Sequence, residues 1–263
     1  MRQLQTRNDV AFVEHRGSGK THISTETMES RWDAEWASSG GSSDVPDLGG
    51  RENWHWLSTV IVPPARVLEA GCGYAEWVAF LDGRGYEAHG IDYSSMAIKK
   101  SLASWPTLRL VQGDLRAMPY EDGFFDGIVS FGAIEHDING PAEAIVEMKR
   151  VLRSGGTMYC TVPCMNYWRR SGWMAVQDYI VCNRMIRRLT GRMPEAPFFE
   201  YVFWPSEYRR ILETAGFSVL KLVPLAPYLL TTASMIRRKA IMAIHNRWPW
   251  CFAHMMGAIC RKP

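Results

Sequence analysis

The sequence has no uninterrupted apolar run of the roughly 20 residues that a membrane-spanning helix requires. Its six cysteines show no paired spacing of the kind that binds zinc, and the single C-x3-C pair of Cys160 and Cys164 has no second cluster beside it. Residues 1–9 are polar and no apolar segment follows them, so no secretory signal is expected. These absences predict a cytoplasmic protein with free thiols and no bound metal.

The chain does have enough apolar sequence for one substantial core. It contains 263 residues, 47% of them hydrophobic, which predicts one domain over residues 51–263. Residues 1–50 are polar and rich in Ser and Gly, as expected of a flexible segment. Trp32 and Trp36 within it are four residues apart, so on a helix they would share a face and could close over the site as a lid.

The net charge of +3 conceals an asymmetry along the chain. Residues 1–164 hold 15 Lys and Arg against 22 Asp and Glu, a net charge of −7. Residues 165–263 hold 15 against 5, a net charge of +10. Unless these basic residues are simply solvated, they would attract an anionic small molecule or an anionic membrane surface.

Strands and helices are predicted to alternate along the chain. The expected strands are 66–70, 86–91, 108–112, 125–131, 156–162, 217–223 and 252–260, and the expected helices lie near 51–62, 75–83, 95–104, 141–152, 172–190 and 205–216. This order is typical of an α/β protein with helices on both faces of a mostly parallel sheet. Ligands bind such sheets beyond the carboxyl ends of the strands. Helical insertions at 164–204 and 225–250 should cover the mouth of that pocket.

The most informative stretch is Val67 to Ala75, an apolar strand that runs through Gly71-Cys72-Gly73 into a helix. A glycine turn lets a ligand lie against bare backbone, because no Cβ blocks its approach. The unpaired N–H groups at the start of the helix carry a partial positive charge. The stretch therefore predicts a nucleotide-type pocket.

Carboxylates at the ends of strands indicate which nucleotide binds. Asp92 lies 19 residues beyond Gly73, where an acid would meet the ribose hydroxyls of a bound adenosine, and Asp114 follows the next strand. The dinucleotide motif G-x-G-x-x-G would need glycine at position 76, but Glu76 stands there. Glu69, directly before the turn, suits a ligand with a cationic group such as an ammonium. The pattern favours an adenosine joined to an amino acid over a dinucleotide.

Residues Arg66 to Val162 resemble the class I methyltransferases that use S-adenosylmethionine, in particular the quinone and small-molecule methylases. The resemblance rests on five motifs in order: Glu69 to Ala75, the strand ending at Asp92, Gly113-Asp114, Phe125 to His136, and Arg150 to Gly156. It departs from the family at Ala75, where glycine is usual and where the start of a helix should tolerate alanine. The resemblance implies a doubly wound, Rossmann-like sheet of seven strands with an antiparallel last strand and helical cap insertions.

The resemblance also implies roles for residues along one edge of the sheet. The residues expected to bind S-adenosylmethionine are Glu69, Gly71, Cys72, Gly73, Asp92, Tyr93, Asp114, Leu115 and Phe131. The two glycines would border the methionine part, Asp92 the ribose, and Asp114 with Leu115 the adenine. His136 is the candidate catalytic base, because an ordinary histidine pKa of about 6.5 suits proton transfer at neutral pH. A histidine bonded to backbone is the alternative, and so is a divalent ion at Glu135–His136, which some resembling quinone O-methylases hold.

The expected partner is a small-molecule acceptor that is partly apolar or anionic: a lipid-linked sugar, a quinone precursor or an aromatic acid. The basic insertions could also lie on a membrane. No catalytic motif of a nucleic-acid methylase stands in the right place, so no nucleic-acid partner is expected. A nicotinamide-dependent oxidoreductase and a non-catalytic nucleoside-binding protein are the alternative functions for this fold.

Overall fold

One sheet of seven strands organises the part of the chain that the computed structural model describes, which comprises residues 30, 32–34, 36–37, 44–166, 200–225, 242–243 and 245–263, without the side chain of residue 252. The strands are β1 (Arg66–Ala70), β2 (Glu87–Asp92), β3 (Arg109–Gln112), β4 (Phe125–Phe131), β5 (Leu152–Pro163), β6 (Ser218–Pro224) and β7 (Met255–Arg261). Their order across the sheet is β3-β2-β1-β4-β5-β7-β6. Strands β1 to β5 pair in parallel, and β7 is antiparallel to both β5 and β6.

Helices lie in most of the connections between strands, and the first helix precedes the sheet. They are α1 (Glu52–Leu57), α2 (Glu76–Asp82), α3 (Ser95–Ser104), α4 (Ala142–Val151), α5 (Pro205–Thr214) and α6 (Pro249–Phe252), with a 3-10 turn at Ile134–His136. Local sequence explains where two of them begin. Ser94 caps α3 by accepting a hydrogen bond from the backbone N–H of Ala97, and Pro205 occupies the first turn of α5, where its missing N–H costs nothing.

The helices bury the two faces of the sheet in separate cores. Apolar residues of α1, α2 and α3, such as Leu57, Val78 and Ile98, form one cluster with alternate residues of the central strands. Residues of α4 and α5, such as Met148 and Leu212, form the other cluster with the remaining strand residues. The sheet is therefore doubly wound, and its central strands are covered on both sides.

The prediction of a doubly wound, mostly parallel sheet with an antiparallel last strand is confirmed. Several boundaries differ by one or two residues, and those of β5, β7 and the first helix differ by more. Strand β5 begins at Leu152 because Leu152 already pairs with Phe125, before a register shift near the glycines 155 and 156. Strand β7 begins at Met255 because Pro249 starts a short helix over the residues before it, and the first helix stops at Leu57.

Some predicted elements lie outside the described residues. These are the cationic helix 172–190, with most of the 164–204 insertion, and residues 226–241 of the 225–250 insertion. Residues 242–243 and 245–247 of the second insertion are helical, as predicted. Among the described residues, no helix combines the length and the apolar character that crossing a bilayer requires.

Candidate active site

The glycine turn after β1 is held in place by the neighbouring strand. The backbone N–H groups of Gly71 and Cys72 both donate to the carbonyl of Ile91, at 2.8 and 3.0 Å. Gly71 and Gly73 have φ angles of +80° and +48°, a region that glycine enters without a steric cost. A Cβ on Gly71 would also collide with the side chain of Ala133, which follows β4. The turn therefore needs glycine both for its backbone angles and for its close contact with Ala133.

The structure corrects the prediction for Ala75. The helix begins at Glu76, and Ala75 precedes it with φ +54° and ψ +27°, in the left-handed region. Alanine at such a position costs about 1–2 kcal/mol relative to right-handed backbone. Ala75 is fully buried in the core under α2, so packing of its methyl group offsets part of that cost. It is thus not an ordinary first residue of a helix.

Asp92 lies at the carboxyl end of β2 and joins the turn to the start of α3. Its Oδ2 accepts a hydrogen bond from the Gly73 N–H at 2.8 Å, and its Oδ1 accepts one from the Ser94 N–H at 2.9 Å. Burial raises the pKa of Asp92 above its ordinary value, and the hydrogen bonds from Ser94 and Gly73 oppose that rise. The carboxyl group is fixed in orientation while it still borders the cavity described next.

A cavity of about 110 Å³ lies at this edge of the sheet. Its lining residues come from four connections after strands and from the N-terminal part of the chain: Trp32, Trp36, Gly71, Asp92, Tyr93, Leu115, Gly132, Ala133 and His136. Five of the residues predicted for the site, Gly71, Asp92, Tyr93, Leu115 and His136, are thus brought together. The two tryptophans predicted to close over the site also line it.

The N-terminal helical segment, defined here as residues 30, 32–34 and 36–37, forms one wall of this cavity. The rings of Trp32 and His136 meet edge to face, with centroids 4.8 Å apart. The indole of Trp36 lies on Gly73, with ring atoms 2.7 Å from where a Cβ on that glycine would be. The segment therefore contacts both the glycine turn and the histidine after β4.

Asp114 is close to the site, but an arginine engages its carboxylate. The Arg116 side chain donates to Asp114 Oδ2 at 2.7 Å, and the Arg116 backbone N–H donates to Oδ1 at 2.8 Å. Burial raises the pKa of Asp114, but these bonds from Arg116 outweigh it and hold the pKa below its ordinary value. Arg116 also reaches Asp137, with 3.5 Å between Nη1 and Oδ2. The predicted contact of Asp114 with adenine stays a prediction.

Three of the predicted residues face the cores and do not line the cavity. Glu69 is buried and accepts a hydrogen bond from the backbone N–H of Val78, and burial raises its pKa well above the usual range. Its Oε2 has no partner among the described residues. Cys72 packs against Gly90, and Phe131 packs against the ring of Trp77 at 4.6 Å. Glu69 and Cys72 are buried, and Phe131 packs against the core that the first three helices form with the sheet.

Glu135, His136 and Glu200 form a cluster after β4. Each offers a ligand atom within 4.8 Å of the others, a spacing that could hold a divalent cation. The Tyr201 N–H donates to the carbonyl of Glu135 at 2.9 Å, which brings Glu200 to the cluster. Glu135 is buried, its Oε2 has no partner among the described residues, and burial raises its pKa to about 8. The expectation that no metal binds here stays a prediction.

Sequence reasoning did not find four of the residues at this edge. Gly132 and Ala133 directly follow β4, so their place at a strand's carboxyl end was a usable signal. Asp33 lies in a polar segment whose docking no local pattern indicates. Glu200 reaches the cluster from the far side of a long insertion, and nothing in its own sequence marks it.

Comparison with known proteins agrees with the fold and the glycine turn. A family described as "Methyltransferase domain" matches residues 68–160. A "Probable S-adenosylmethionine-dependent methyltransferase" of Mycolicibacterium smegmatis is 29% identical over 186 residues, covering 68% of this chain and 65% of the relative. A demethylmenaquinone methyltransferase of Staphylococcus aureus is 33% identical over 171 residues, covering 58% of this chain and 67% of the relative.

A solved structure shows the same fold. A chain of the complex between the Haloferax volcanii Trm112 methyltransferase activator and a methyltransferase superposes with a TM-score of 0.61. It is 19% identical, and the match covers 88% of this chain and 97% of that one. The chain described here belongs to the S-adenosylmethionine-dependent methyltransferase family. It spans only 46–67% of the length of the curated relatives.

Proposed function

We propose that this chain is a methyltransferase that binds S-adenosylmethionine at the Gly71–Asp92 edge and methylates a small acceptor. One observation carries the proposal: the bare backbone of Gly71 and the carboxyl group of Asp92 border the same cavity as His136. Each lies at the carboxyl end of a different strand, where ligands of doubly wound sheets bind. Membership of the family supports the same assignment.

The residues present fit S-adenosylmethionine. Asp92 would hold the ribose, with its carboxyl group already oriented by the Gly73 and Ser94 N–H groups. Leu115 offers an apolar wall to the adenine, and Tyr93 adjoins Asp92 on the same side. The buried Glu69 lies behind the turn, where its unpartnered Oε2 favours positive charge or a proton donor nearby. Glycines 71 and 73 leave the backbone open to the methionine part.

When bound, S-adenosylmethionine would supply a methyl group that is already activated on its sulfonium. The chain's own residues would position the acceptor in line and exclude water, which together contribute several kcal/mol to such reactions. Trp32 and His136 meet beside the cavity and would form the acceptor's wall. The role of His136 as a base stays a prediction, since a proton must leave only when the acceptor is a hydroxyl or a ring carbon.

For the acceptor, a quinone precursor is the best-supported class. Several relatives are demethylmenaquinone methyltransferases, and the aromatic wall of Trp32 and His136 suits a planar ring. A lipid-linked sugar or an aromatic acid would use the same wall less fully. The basic residues beyond position 164 would favour an acceptor that is also anionic or that is held at an anionic membrane.

Peripheral contact with the cytoplasmic membrane surface belongs to the same proposal. The described end of the second insertion exposes Trp248 and Trp250, and the Arg247 guanidinium lies 5.8 Å from the Trp248 ring centroid. Tryptophan beside arginine is the combination found at membrane interfaces. Such contact would bring an apolar acceptor within reach of the site.

Thermal-shift measurements test the cofactor. S-adenosylhomocysteine is expected to raise the melting temperature by several degrees at 100 times its Kd, a stabilisation of about 2.7 kcal/mol, while NAD gives no shift. A shift with NAD alone would favour an oxidoreductase. Release of labelled methyl onto a demethylated quinol then tests the reaction, and ligand binding without transfer to any acceptor would favour a non-catalytic nucleoside-binding protein.

A further inference from the structure

The N-terminal helical segment is attached to α3 by an acidic side chain at the start of that helix. Asp33 Oδ1 accepts hydrogen bonds from the Ser94 hydroxyl at 2.5 Å and the Met96 N–H at 3.1 Å. Its Oδ2 accepts one from the Ser95 hydroxyl at 3.1 Å. A carboxylate at a helix N-terminus satisfies N–H groups that have no partner within the helix. Asp33 therefore fixes one end of the segment on α3.

The other end of the segment is held through its carbonyl groups. Lys100, on α3, donates to the carbonyls of Trp36 and Ala37 at 2.8 and 2.9 Å. The Tyr74 hydroxyl, from the glycine turn, donates to the Trp36 carbonyl at 2.5 Å. Hydrogen-bond donors such as an ammonium and a hydroxyl stabilise the unpaired carbonyl groups at the C-terminal end of a helix. The segment is thus fixed at both ends in the conformation described.

In that conformation Trp36 covers the glycine turn. Its ring atoms lie 2.7 Å from the Cβ position of Gly73, which means that the indole rests directly on the α-carbon. The remaining cavity is about 110 Å³, below the roughly 300 Å³ at which small-ligand pockets usually begin. A complete nucleoside joined to an amino acid needs more room than this conformation leaves.

We infer that Trp36 and the amino-acid end of S-adenosylmethionine compete for the bare backbone of Gly73, and that Asp33 is the latch that holds Trp36 in place. The inference rests on the proposed function, because it assigns the backbone of Gly73 to that ligand. Ligand entry requires the segment to leave the turn. The indole that covers the glycine gives way when the ligand binds.

Ser94 links the latch to the ribose site. Its hydroxyl donates to Asp33, and its backbone N–H donates to Asp92, the residue proposed to hold the ribose. A change at either carboxylate therefore acts on the same residue. Coupling of this kind is reciprocal, so release of Asp33 changes ligand affinity by the same factor by which the ligand changes docking of the segment.

Rates of S-adenosylhomocysteine binding to the full chain test the inference, measured by surface plasmon resonance. Trp36→Ala removes the competitor, and association is expected to be at least about fivefold faster with a tighter Kd. Asp33→Ala releases the latch and should accelerate association similarly. Asp33→Asn keeps one acceptor oxygen for the helix N-terminus and should give an intermediate rate. The matched controls are Trp248→Ala, an exposed indole outside the cavity lining, and Asp47→Ala, an exposed acid whose carboxylate accepts from the Gly49 N–H and has a long contact to Arg84.

Each outcome has a distinct meaning. A Trp36→Ala variant that binds more weakly would show that the indole belongs to the binding site, and this would overturn the competition. Asp33→Ala with wild-type rates would overturn the latch. Hydrogen exchange without ligand reads the latch separately, because Asp33→Ala should speed exchange at the Met96 amide, and unchanged exchange there would refute it. A wild-type chain that binds no S-adenosylhomocysteine would defeat the proposed function itself, whatever the exchange shows.

Discussion

Gly71 meets two requirements at once. Its φ of +80° is in the left-handed region, and its missing Cβ allows Ala133 to pack against the turn. Gly71→Ala is expected to cost about 2–4 kcal/mol of unfolding free energy, from backbone strain and overpacking together. It should also abolish binding of S-adenosylhomocysteine, since both effects distort the cavity wall. Urea denaturation and calorimetry measure the two effects.

Gly50→Ala is the matched control for this prediction. Gly50 has no atom within 4 Å of its Cβ position and no positive φ, so the same chemical change should be nearly neutral there. A Gly71→Ala protein with wild-type stability would show that the turn adopts another conformation in solution.

Glu135 should make the free energy of unfolding depend on pH. Burial raises its pKa from 4.5 to about 8. The pKa of Glu135 is therefore higher in the folded than in the unfolded protein. The contribution of the protonated Glu135 to stability is complete below pH 4.5 and is lost as pH rises to about 8. Glu135→Gln removes the charge, so the unfolding free energy of the variant relative to wild type should increase with pH by up to about 1.4 kcal/mol per unit.

Urea denaturation of both proteins between about pH 5 and pH 9 tests this dependence, since other titrating groups cancel in the difference. The stability of Glu135→Gln relative to wild type should stop increasing above about pH 8. Any constant difference caused by the amide itself does not affect this pH dependence. Glu143→Gln, on the exposed face of the same region, controls for removal of a negative charge. A difference that stays constant across the range would mean that Glu135 finds a partner or solvent in solution.

At the scale of elements, the alternation of strands and helices predicted the parallel sheet, while the antiparallel last strand was expected only from the resemblance to the methyltransferases. Strands β1 and β4 and helix α3 have the predicted bounds. The boundaries that were wrong depend on tertiary pairing, as where Leu152 joins the sheet opposite Phe125. For the site, the sequence identified the strand ends that carry its residues. It did not predict that Glu69 and Phe131 point away from the cavity, because that direction depends on packing that the motif does not encode.

The contribution of the N-terminal helical segment could not be read from sequence. Its contacts join residues about 60 positions apart, such as Asp33 and Ser94, and no periodicity in a polar segment specifies such a partner. Trp32 and Trp36 were recognised by their spacing alone. That spacing predicts a shared face on a helix, but not the surface that the face covers.

A double-mutant cycle on Asp33 and Ser94 measures how strongly this segment and α3 are coupled. Each alanine substitution should cost about 1 kcal/mol through loss of capping at the helix. The double variant should cost about 0.5–1.5 kcal/mol less than the two costs added, since the residues share a hydrogen bond. Urea denaturation supplies the four free energies, and Asp47→Ala with Ser94→Ala is the control pair. Strict additivity would contradict docking of the segment on α3.

At the scale of the whole molecule, positive charge and exposed tryptophans occur in the same part of the chain. The part from residue 165 onward carries a net charge of +10, and the part that holds the cofactor motifs carries −7. The tryptophans at 248 and 250 are 55% and 37% exposed, unusually high for a residue type that is mostly buried. The proposed membrane contact therefore predicts that the two tryptophans and the positive charge of this part of the chain act together in binding an anionic surface.

Vesicle flotation tests this contact with an anionic membrane. The wild-type chain is expected to float with vesicles of anionic phosphatidylglycerol at low salt, to stay behind with neutral phosphatidylcholine, and to be released at roughly 0.5 M salt, where screening is nearly complete. The double variant Trp248→Ala, Trp250→Ala should lose most of the bound fraction, because the indoles supply the apolar part of the contact. Leu220→Ala, an exposed apolar residue on β6, is the control and should float as wild type. Equal flotation of all three proteins would assign the binding to charge alone, and no flotation at low salt would remove the membrane from the proposed function.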